Sequence, residues 1–278
     1  MVEAATHGGA PDTLARVREA LREVVPGLVA LVRGVPDPDA ASIGTWTVGD
    51  VAAHLSHSFR ADTDALAGRP VPDAIVTKAG IAEATAKLLA EDDERDPAVL
   101  ADRITALAGE FDEVASRARS AAVAWLQGVR LPASAVAGHL LEECLVHGHD
   151  IATATGRPWR IRRHHALLAI EDFALPLLAA LPPTAWVDQE MAESFQARIE
   201  LRLRGGRRTL MVVEDGSLTF DAAGAGEVDA RISADARTFL LVFLGRRRIG
   251  RALLEGKLAG WGTRPWKLAR MLAVMTPP

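Results

Sequence analysis

The chain has 278 residues, 49% of them hydrophobic and 24% charged, with a formal net charge of −4. These values exclude an extensively disordered chain and argue against a globally basic nucleic-acid-binding protein. Cys144 is the only cysteine, which excludes an intrachain disulfide and a zinc site built from several cysteines. A reducing compartment is therefore expected.

Targeting and membrane segments are not evident in the sequence. The first residues carry neither the basic segment nor the apolar run of a signal peptide. No charge-free apolar run reaches the roughly 18 residues that a transmembrane helix requires. We therefore predict a soluble, cytoplasmic protein without membrane contact, either a monomer or a homodimer, with about two domains for its length.

The first two-thirds of the chain has the periodicity of amphipathic helices. Apolar residues recur at three- and four-residue spacing from Leu14 to Leu31, which predicts a first helix. Pro26 is expected to kink or end this helix, because proline lacks the backbone N–H. Thr47 and Asp50 have the spacing of a capping box, which predicts that a second helix begins there.

Further helices follow in the same part of the chain. An alanine-rich helix is predicted over 77–90, and a long helix is predicted from Asp96 to Gly128. Another helix is predicted from Pro132 to a stop at Gly156. Four or five amphipathic helices joined by short loops predict a helical bundle.

A change of pattern marks a second domain. After one more apolar helix over about 165–181, residues 195–204 alternate between apolar and polar, which is typical of a half-buried strand. Glycine-containing turn signals at 205–206 and 215–216 predict hairpins, and short helices follow. We therefore predict two domains, an N-terminal four-helix bundle over 1–182 and a smaller C-terminal α+β domain over 190–278.

Carboxylate and imidazole side chains on one predicted helix form a candidate half-site for a metal. Glu143 and His147 are four residues apart and share a helix face, and His139 continues the row by one turn. Such nitrogen and oxygen ligands suit zinc, nickel, iron or manganese. The alternative is a solvent-facing Glu/His pair, which is common on helices.

His54 is the candidate ligand from a different helix. It lies among the apolar residues Val51, Leu55 and Phe59, so its ring nitrogens need partners inside the bundle. One interpretation is a core histidine that is satisfied by a hydrogen bond. The other is a third metal ligand, since bundle interiors build metal sites from facing helices. His57, about one turn further along, is the weaker candidate.

Three segments resemble the mycothiol-dependent maleylpyruvate isomerase family. WTVGDVAAHL at 46–55 is similar to that family's first motif, and ECLVHGHDIA at 143–152 is similar to its second. The stretch over 229–263 resembles the small domain that follows the bundle, which is similar to sterol carrier protein type 2. The resemblance implies a DinB-like four-helix bundle with a divalent metal, expected to be zinc, held by two histidines and one glutamate. The matching positions are His54, Glu143 and His147.

The resemblance also implies a cofactor and a reaction class. A low-molecular-weight thiol such as mycothiol would serve isomerisation of an unsaturated oxo-acid or transfer of the thiol to an electrophile, with the metal lowering the pKa of the thiol. Cys144 is not expected to be the nucleophile, because the neighbouring carboxylate of Glu143 raises the pKa of its thiol. The alternatives are a non-catalytic binding protein for a hydrophobic small molecule and a metal-dependent hydrolase.

Three other residues are candidates for supporting roles. Arg264 lies in a glycine-rich loop between two tryptophans and is the predicted contact for a small anionic substrate, with a structural role equally open. Asp150 is one turn after His147 and is predicted to orient that ligand or to pair with a nearby arginine. His149 stands where the family has a bulky apolar residue, and it is expected to line a different pocket or to add a ligand.

Overall fold

The computed structural model describes most of the chain. The described residues are 10–69, 78–118, 122–125, 129–182, 184, 186–224 and 226–275. The chain divides into two compact units, Met1–Arg160 and Ile161–Pro278. The apolar helix predicted over 165–181 falls in the second unit, whereas the sequence pattern grouped it with the first. The predicted domain ranges 1–182 and 190–278 stay predictions.

The first unit contains a four-helix bundle, in agreement with the predicted fold class. Its described elements are α1 (Ala10–Arg33), β1 (Ala41–Ile43), β2 (Trp46–Thr47), α2 (Val48–Leu66), α3 (Lys78–Glu91), α4 (Pro97–Arg117), β3 (Ala122–Ala124), β4 (Arg130–Pro132) and α5 (Ala133–Thr155). Helices α1, α2, α4 and α5 pack side by side, and α3 packs against α2. Large side chains with almost no exposure fill the bundle, among them Leu28, Phe59, Leu100, Phe111 and Leu140. Burying each one contributes about 1.5–3 kcal/mol.

The predicted capping box at the start of α2 is confirmed. The backbone N–H of Thr47 donates to Oδ2 of Asp50 at 2.8 Å, and the backbone N–H of Asp50 donates to Oγ1 of Thr47 at 3.1 Å. These bonds satisfy two of the N–H groups that a helix start leaves without partners. The cap therefore defines where α2 begins and which of its side chains face the bundle.

The expected end of the first helix at Pro26 is wrong, whereas a kink at this position stays a prediction. Helix α1 continues through Pro26 to Arg33. Proline removes one backbone hydrogen bond and costs about 3 kcal/mol in a helix interior. Val24 and Leu28 on either side of Pro26 are buried in the bundle, and this burial offsets that cost.

The predicted extension of the long helix towards Gly128 is also wrong. Helix α4 ends at Arg117, where Ala118 adopts an extended conformation with ψ of 133°. Strand β3 follows and pairs with β4, and Gly128 itself lies outside the described residues. The indole N–H of Trp125, after β3, donates to the buried Asp62 at 2.8 Å. The hydrogen bond from Trp125 to Asp62 is a tertiary contact, and it outweighs the local helix preference that the apolar spacing indicated.

Gly148 of α5 provides a test of close packing in the bundle. It is buried, and a Cβ at this position would clash with the indole ring of Trp159. That indole is held in place, because its N–H donates to the carbonyl of Leu145 at 2.9 Å. We expect Gly148→Ala to lower the free energy of unfolding by about 1–3 kcal/mol, as overpacking does. Urea unfolding followed by circular dichroism measures this change.

The matched control is Gly109→Ala on α4. Gly109 is exposed, and a Cβ there would have no neighbouring heavy atom within 4 Å. Alanine is expected to raise the free energy of unfolding by about 0.5–1 kcal/mol, because glycine is a poor helix residue. Equal effects of the two substitutions would show that the Trp159 contact does not restrict position 148.

The second unit is an α+β fold with a mixed sheet. Its described elements are α6 (Arg163–Ala169), a π-helical turn (Ile170–Ala174), α7 (Leu175–Ala180), α8 (Gln189–Glu193), β5 (Ala197–Leu203), β6 (Arg208–Glu214), β7 (Ser217–Ala222), β8 (Ala230–Ala234), α9 (Ala236–Phe243), α10 (Ile249–Leu254), β9 (Leu258–Trp261) and α11 (Trp266–Val274). The strand order is β7-β6-β5-β8-β9, with β5 and β8 parallel and the other neighbours antiparallel.

Local turn residues explain the two hairpins of this sheet. Gly205 follows β5 with φ of 85°, and Asp215 and Gly216 join β6 to β7 with φ of 48° and 70°. Positive φ favours glycine and, among other residues, Asp and Asn. Ile199 and Leu201 of β5 are buried on the apolar face of the sheet, as their alternation predicted. Among the described residues, every helix is too short or too polar to traverse a lipid bilayer.

Candidate metal centre

Two rows of polar side chains face each other inside the bundle. Each row has four-residue spacing, so its members lie one turn apart on one helix face. Helices α2 and α5 supply the rows: His54, Ser58 and Asp62 from α2, and His139, Glu143 and His147 from α5. The helices run in opposite directions, so the first residue of one row lies near the last residue of the other.

His54, Glu143 and His147 form the central cluster. Nε2 of His54 lies 2.8 Å from Oε2 of Glu143, and Nε2 of His147 lies 3.7 Å from the same oxygen. The two imidazole rings meet edge to face with centroids 5.0 Å apart. One donor atom from each of the three residues lies within 4.8 Å of the others. The three predicted ligands therefore converge, although they come from distant parts of the sequence.

The protonation of this cluster suits a divalent cation. Burial lowers the pKa of His54, although Glu143 opposes this change, so the imidazole is neutral at neutral pH. Burial acts to raise the pKa of Glu143, but the hydrogen bond with His54 and the electrostatic interactions with the surrounding histidines outweigh it and hold the pKa well below its usual range. A carboxylate and two imidazole nitrogens are ligands that zinc and related metals accept.

Neighbouring side chains hold the cluster in place. Oδ2 of Asp150 lies 3.0 Å from Nδ1 of His147, and Asp150 is itself buried. Because an ionised carboxylate only accepts hydrogen bonds, Nδ1 of His147 donates to Asp150, and Nε2 is the ring nitrogen on the side of Glu143. The ring of Trp46 packs at 5.0 Å from the His54 ring and stacks at 6.3 Å on the His147 ring. Asp150 therefore contacts His147, and its role in orienting a metal ligand stays a prediction.

Three further residues that the sequence did not single out contact the cluster or its neighbours: Ser58, Asp62 and Trp46. The hydroxyl of Ser58 donates to Oε2 of Glu143 at 2.8 Å. Asp62 is fully buried, and its Oδ2 lies 2.7 Å from Nδ1 of His139. The signal for two of them was present, since Ser58 and Asp62 follow His54 at intervals of four residues. Trp46 has no such periodicity, because it lies in β2 before the helix.

Comparisons with known proteins place this bundle in a family. Residues 39–152 match the mycothiol maleylpyruvate isomerase N-terminal domain. The bundle belongs to that domain family. Residues 177–260 match the SCP-2 sterol transfer family, so the chain carries both domains of the predicted resemblance, which is confirmed. No curated protein sequence matches the chain significantly.

Solved structures of the mycothiol-dependent maleylpyruvate isomerase have a similar fold. One crystal structure is 16% identical, covering 84% of this chain and 90% of that chain with a TM-score of 0.51. A histidine-to-alanine mutant of that enzyme is also 16% identical, covering 95% of this chain and 96% of that chain with a TM-score of 0.55. At this identity the likeness establishes the fold.

Three other histidines of the first unit lie outside the central cluster: His57, His139 and His149. Nε2 of His57 lies 2.8 Å from Asp92, which also accepts a hydrogen bond from Arg103 at 2.6 Å. Nε2 of His139 lies 3.7 Å from Oε1 of Glu143, next to the cluster. His149 is half-buried, with Nδ1 3.8 Å from Oδ1 of Asp150. His57 therefore has a pairing of its own, which makes it a suitable control residue.

Cys144 is buried in the same domain and is unsuited to nucleophilic chemistry. Burial raises the pKa of its thiol, and the nearby charge of Glu143 raises it further. The thiolate is the reactive form of cysteine, and it is scarce when the pKa is high. Cys144 is therefore a core residue, in agreement with the sequence-based interpretation.

Arg264, the predicted substrate contact, lies in the second unit and forms an ion pair. Its Nη1 donates to Oδ1 of Asp229 at 2.7 Å, and its backbone N–H donates to the carbonyl of the same residue at 2.9 Å. Nζ of Lys267 donates to Oδ2 of Asp229 at 2.8 Å. These contacts provide the structural role that the sequence analysis kept open, and substrate binding by Arg264 stays a prediction.

The ion pairs of Asp229 predict how stability depends on pH. Burial raises the pKa of Asp229, but hydrogen bonds from Lys267, the Arg198 backbone and Arg264 outweigh it and lower the pKa to about 2. The model-peptide value is 3.8, so the stabilisation is fully present above pH 3.8 and is lost as pH falls towards 2. The shift corresponds to about 2 kcal/mol of unfolding free energy.

Asp229→Asn is expected to remove this pH dependence of the unfolding free energy. We expect urea unfolding of the parent to lose about 2 kcal/mol more than the variant between pH of about 5 and about 2. Asp221→Asn on β7 is the matched control, because Asp221 is an exposed aspartate of the same unit. Equal pH dependence of the parent and Asp229→Asn would contradict the prediction.

Proposed function

We propose that this protein is a metal-dependent enzyme that uses a low-molecular-weight thiol, mycothiol or a similar compound, to isomerise an unsaturated oxo-acid. The observation that carries the proposal is the convergence of His54, Glu143 and His147 inside a mycothiol maleylpyruvate isomerase N-terminal domain. Transfer of the thiol to an electrophile is the related reaction that the same site would support.

The three converging residues would hold the metal, with zinc the expected ion. A bound divalent metal supplies Lewis acidity, which lowers the pKa of a thiol or polarises a carbonyl oxygen. Asp150 keeps the Nδ1 proton on His147 and so presents Nε2 as a ligand atom. The carboxylate of Glu143 is oriented by the hydroxyl of Ser58. Trp46 packs against both imidazole rings and so restricts their orientation.

The need for an added thiol follows from the chain's own composition. Cys144 is the single cysteine, and its thiol is buried with a raised pKa. The chain therefore offers no thiolate for reversible addition to a double bond. A small thiol from solution would supply that nucleophile, and cis–trans isomerisation would consume none of it.

The test is an assay of maleylpyruvate isomerisation with zinc-loaded protein and mycothiol. Conversion that requires both the metal and the thiol would support the proposal. His57→Ala is the matched variant, since His57 pairs with Asp92 and is expected to leave the activity unchanged. Hydrolytic activity without any thiol would replace the proposal with a metal-dependent hydrolase.

A second candidate function is the binding of a hydrophobic small molecule without turnover. The match of residues 177–260 to the SCP-2 sterol transfer family favours it. Organic extraction of the purified protein, followed by mass spectrometry, tests this candidate directly. A stoichiometric apolar ligand in a protein that binds no divalent metal would make binding the leading function.

A further inference from the structure

The second unit contains a cavity of about 410 Å³ beside the polar face of its sheet. Arg198 and Glu200 of β5 line it together with Arg208 of β6 and Arg231 of β8. Because strand side chains alternate, these residues lie on the face opposite the buried Ile199. A cavity of this volume accommodates a small molecule.

Glu200 organises the arginines around this cavity. Its side chain is only 3% exposed, and Arg202 donates to both of its carboxylate oxygens at 2.9 and 2.8 Å. Nε of Arg231 donates to Oε2 at 3.0 Å, and Nε of Arg208 donates to Oε1. The carboxylate is thus saturated with donors. Arg208 and Arg231 each use Nε for this contact, so their terminal nitrogens have no partner among the described residues.

The arginines at the cavity carry more positive charge than the single carboxylate of Glu200 neutralises. The guanidinium of Arg202 already binds the Glu200 carboxylate with two hydrogen bonds, as is typical of an arginine–carboxylate pair. Two more arginines contact the same acid, and the guanidinium of Arg198 forms no ion pair with any described residue. These hydrogen bonds hold the pKa of Glu200 at about 2, so the acid stays ionised and keeps its partners fixed.

We propose that this cavity is a binding site for the phosphate group of a small molecule. The terminal nitrogens of Arg208 and Arg231, together with Arg198, supply forked N–H donors to phosphate oxygens. Glu200 does not oppose the anion strongly, because its oxygens are already occupied by N–H donors. Three lining arginines against one glutamate leave two positive charges, which balance a dianion. The site is independent of the metal cluster and of its proposed reaction.

Isothermal titration calorimetry with inorganic phosphate and pyrophosphate tests the proposal, with chloride holding the ionic strength constant. The full-length parent is expected to bind with saturation at one site. Arg198→Gln should weaken binding about tenfold or more, the effect of losing hydrogen bonds to a charged group. This variant leaves every partner of Glu200 in place, so the fold should be retained, and its melting temperature checks this.

Arg204→Gln is the matched control. Arg204 follows β5, is exposed and does not line the cavity, and its Nη2 donates to the carbonyl of Gly256 at 2.8 Å. The control removes one positive charge from the same unit and should leave the affinity for phosphate unchanged. If Arg204→Gln weakens binding as much as Arg198→Gln, diffuse attraction explains the effect and the proposed site is wrong.

The same phosphate chemistry occurs in free metabolites and in lipid headgroups, and a second experiment separates these sources. Sedimentation with phosphatidylcholine vesicles, with and without phosphatidic acid, measures headgroup binding. Binding to phosphatidic acid that Arg198→Gln weakens assigns the site to a headgroup. Binding of soluble phosphate alone assigns it to a free metabolite. Absence of saturable binding in both experiments overturns the proposal.

Discussion

His147→Ala is expected to abolish stoichiometric binding of a divalent metal. His147 supplies one of three donor atoms that lie within 4.8 Å of one another, and it is buried at the centre of the bundle. Loss of a partner that only orients a ligand costs about 10- to 100-fold in metal affinity, so loss of the ligand itself should cost more. His54→Ala should have the same effect, because it removes the ligand from the facing helix.

Metal content after zinc loading and dialysis, measured by mass spectrometry, checks this prediction. Competition with a chelator gives the change in affinity, and the absorption spectrum of the cobalt form reports the ligand set. His57→Ala is the control, because it removes a histidine from the same helix as His54 without touching the cluster. Equal zinc content in the parent and in His147→Ala would show that the cluster is not the metal centre.

Asp62→Ala is expected to cause the largest loss of stability among the substitutions proposed. Asp62 is fully buried and accepts a hydrogen bond from the indole of Trp125 at 2.8 Å. Its other oxygen lies 2.7 Å from Nδ1 of His139. Alanine would remove both contacts from a region without access to water. Breaking a buried pair by deleting one partner costs about 3–5 kcal/mol.

Urea unfolding measures the predicted loss of unfolding free energy. Two further variants show whether the loss comes from the buried contacts of Asp62. Asp62→Asn keeps the shape and one acceptor oxygen, so it should lose less than alanine. Asp64→Ala is the matched control on the same helix, since Asp64 pairs with Arg69 at the surface. A surface pair contributes about 0–1 kcal/mol, so the control should change little. An Asp62→Ala variant as stable as the Asp64→Ala control would refute a structural role for the Asp62 contacts.

Local patterns in the sequence determined much of the architecture. Apolar periodicity identified the bundle helices, and the Thr47–Asp50 pair placed the start of α2 correctly. Alternation and turn residues identified β5, β6 and β7, because backbone sterics and pleating act within a few residues. Four-residue spacing also placed Glu143 and His147 on one face of α5, which is a property of any α-helix.

Only the tertiary structure decided which faces meet. His54 and Glu143 are 89 positions apart in the sequence. Local spacing does not predict that the polar rows of α2 and α5 face each other. The same holds for Trp125, which lies after a strand so that its indole reaches Asp62. Pro26 remains inside α1 because packing of the neighbouring apolar residues outweighs a local penalty. The arginines around Glu200 likewise come together only when β5, β6 and β8 pair. Helix packing and strand pairing bring together residues that are far apart in the sequence. Local sequence patterns predict only the relations between residues a few positions apart.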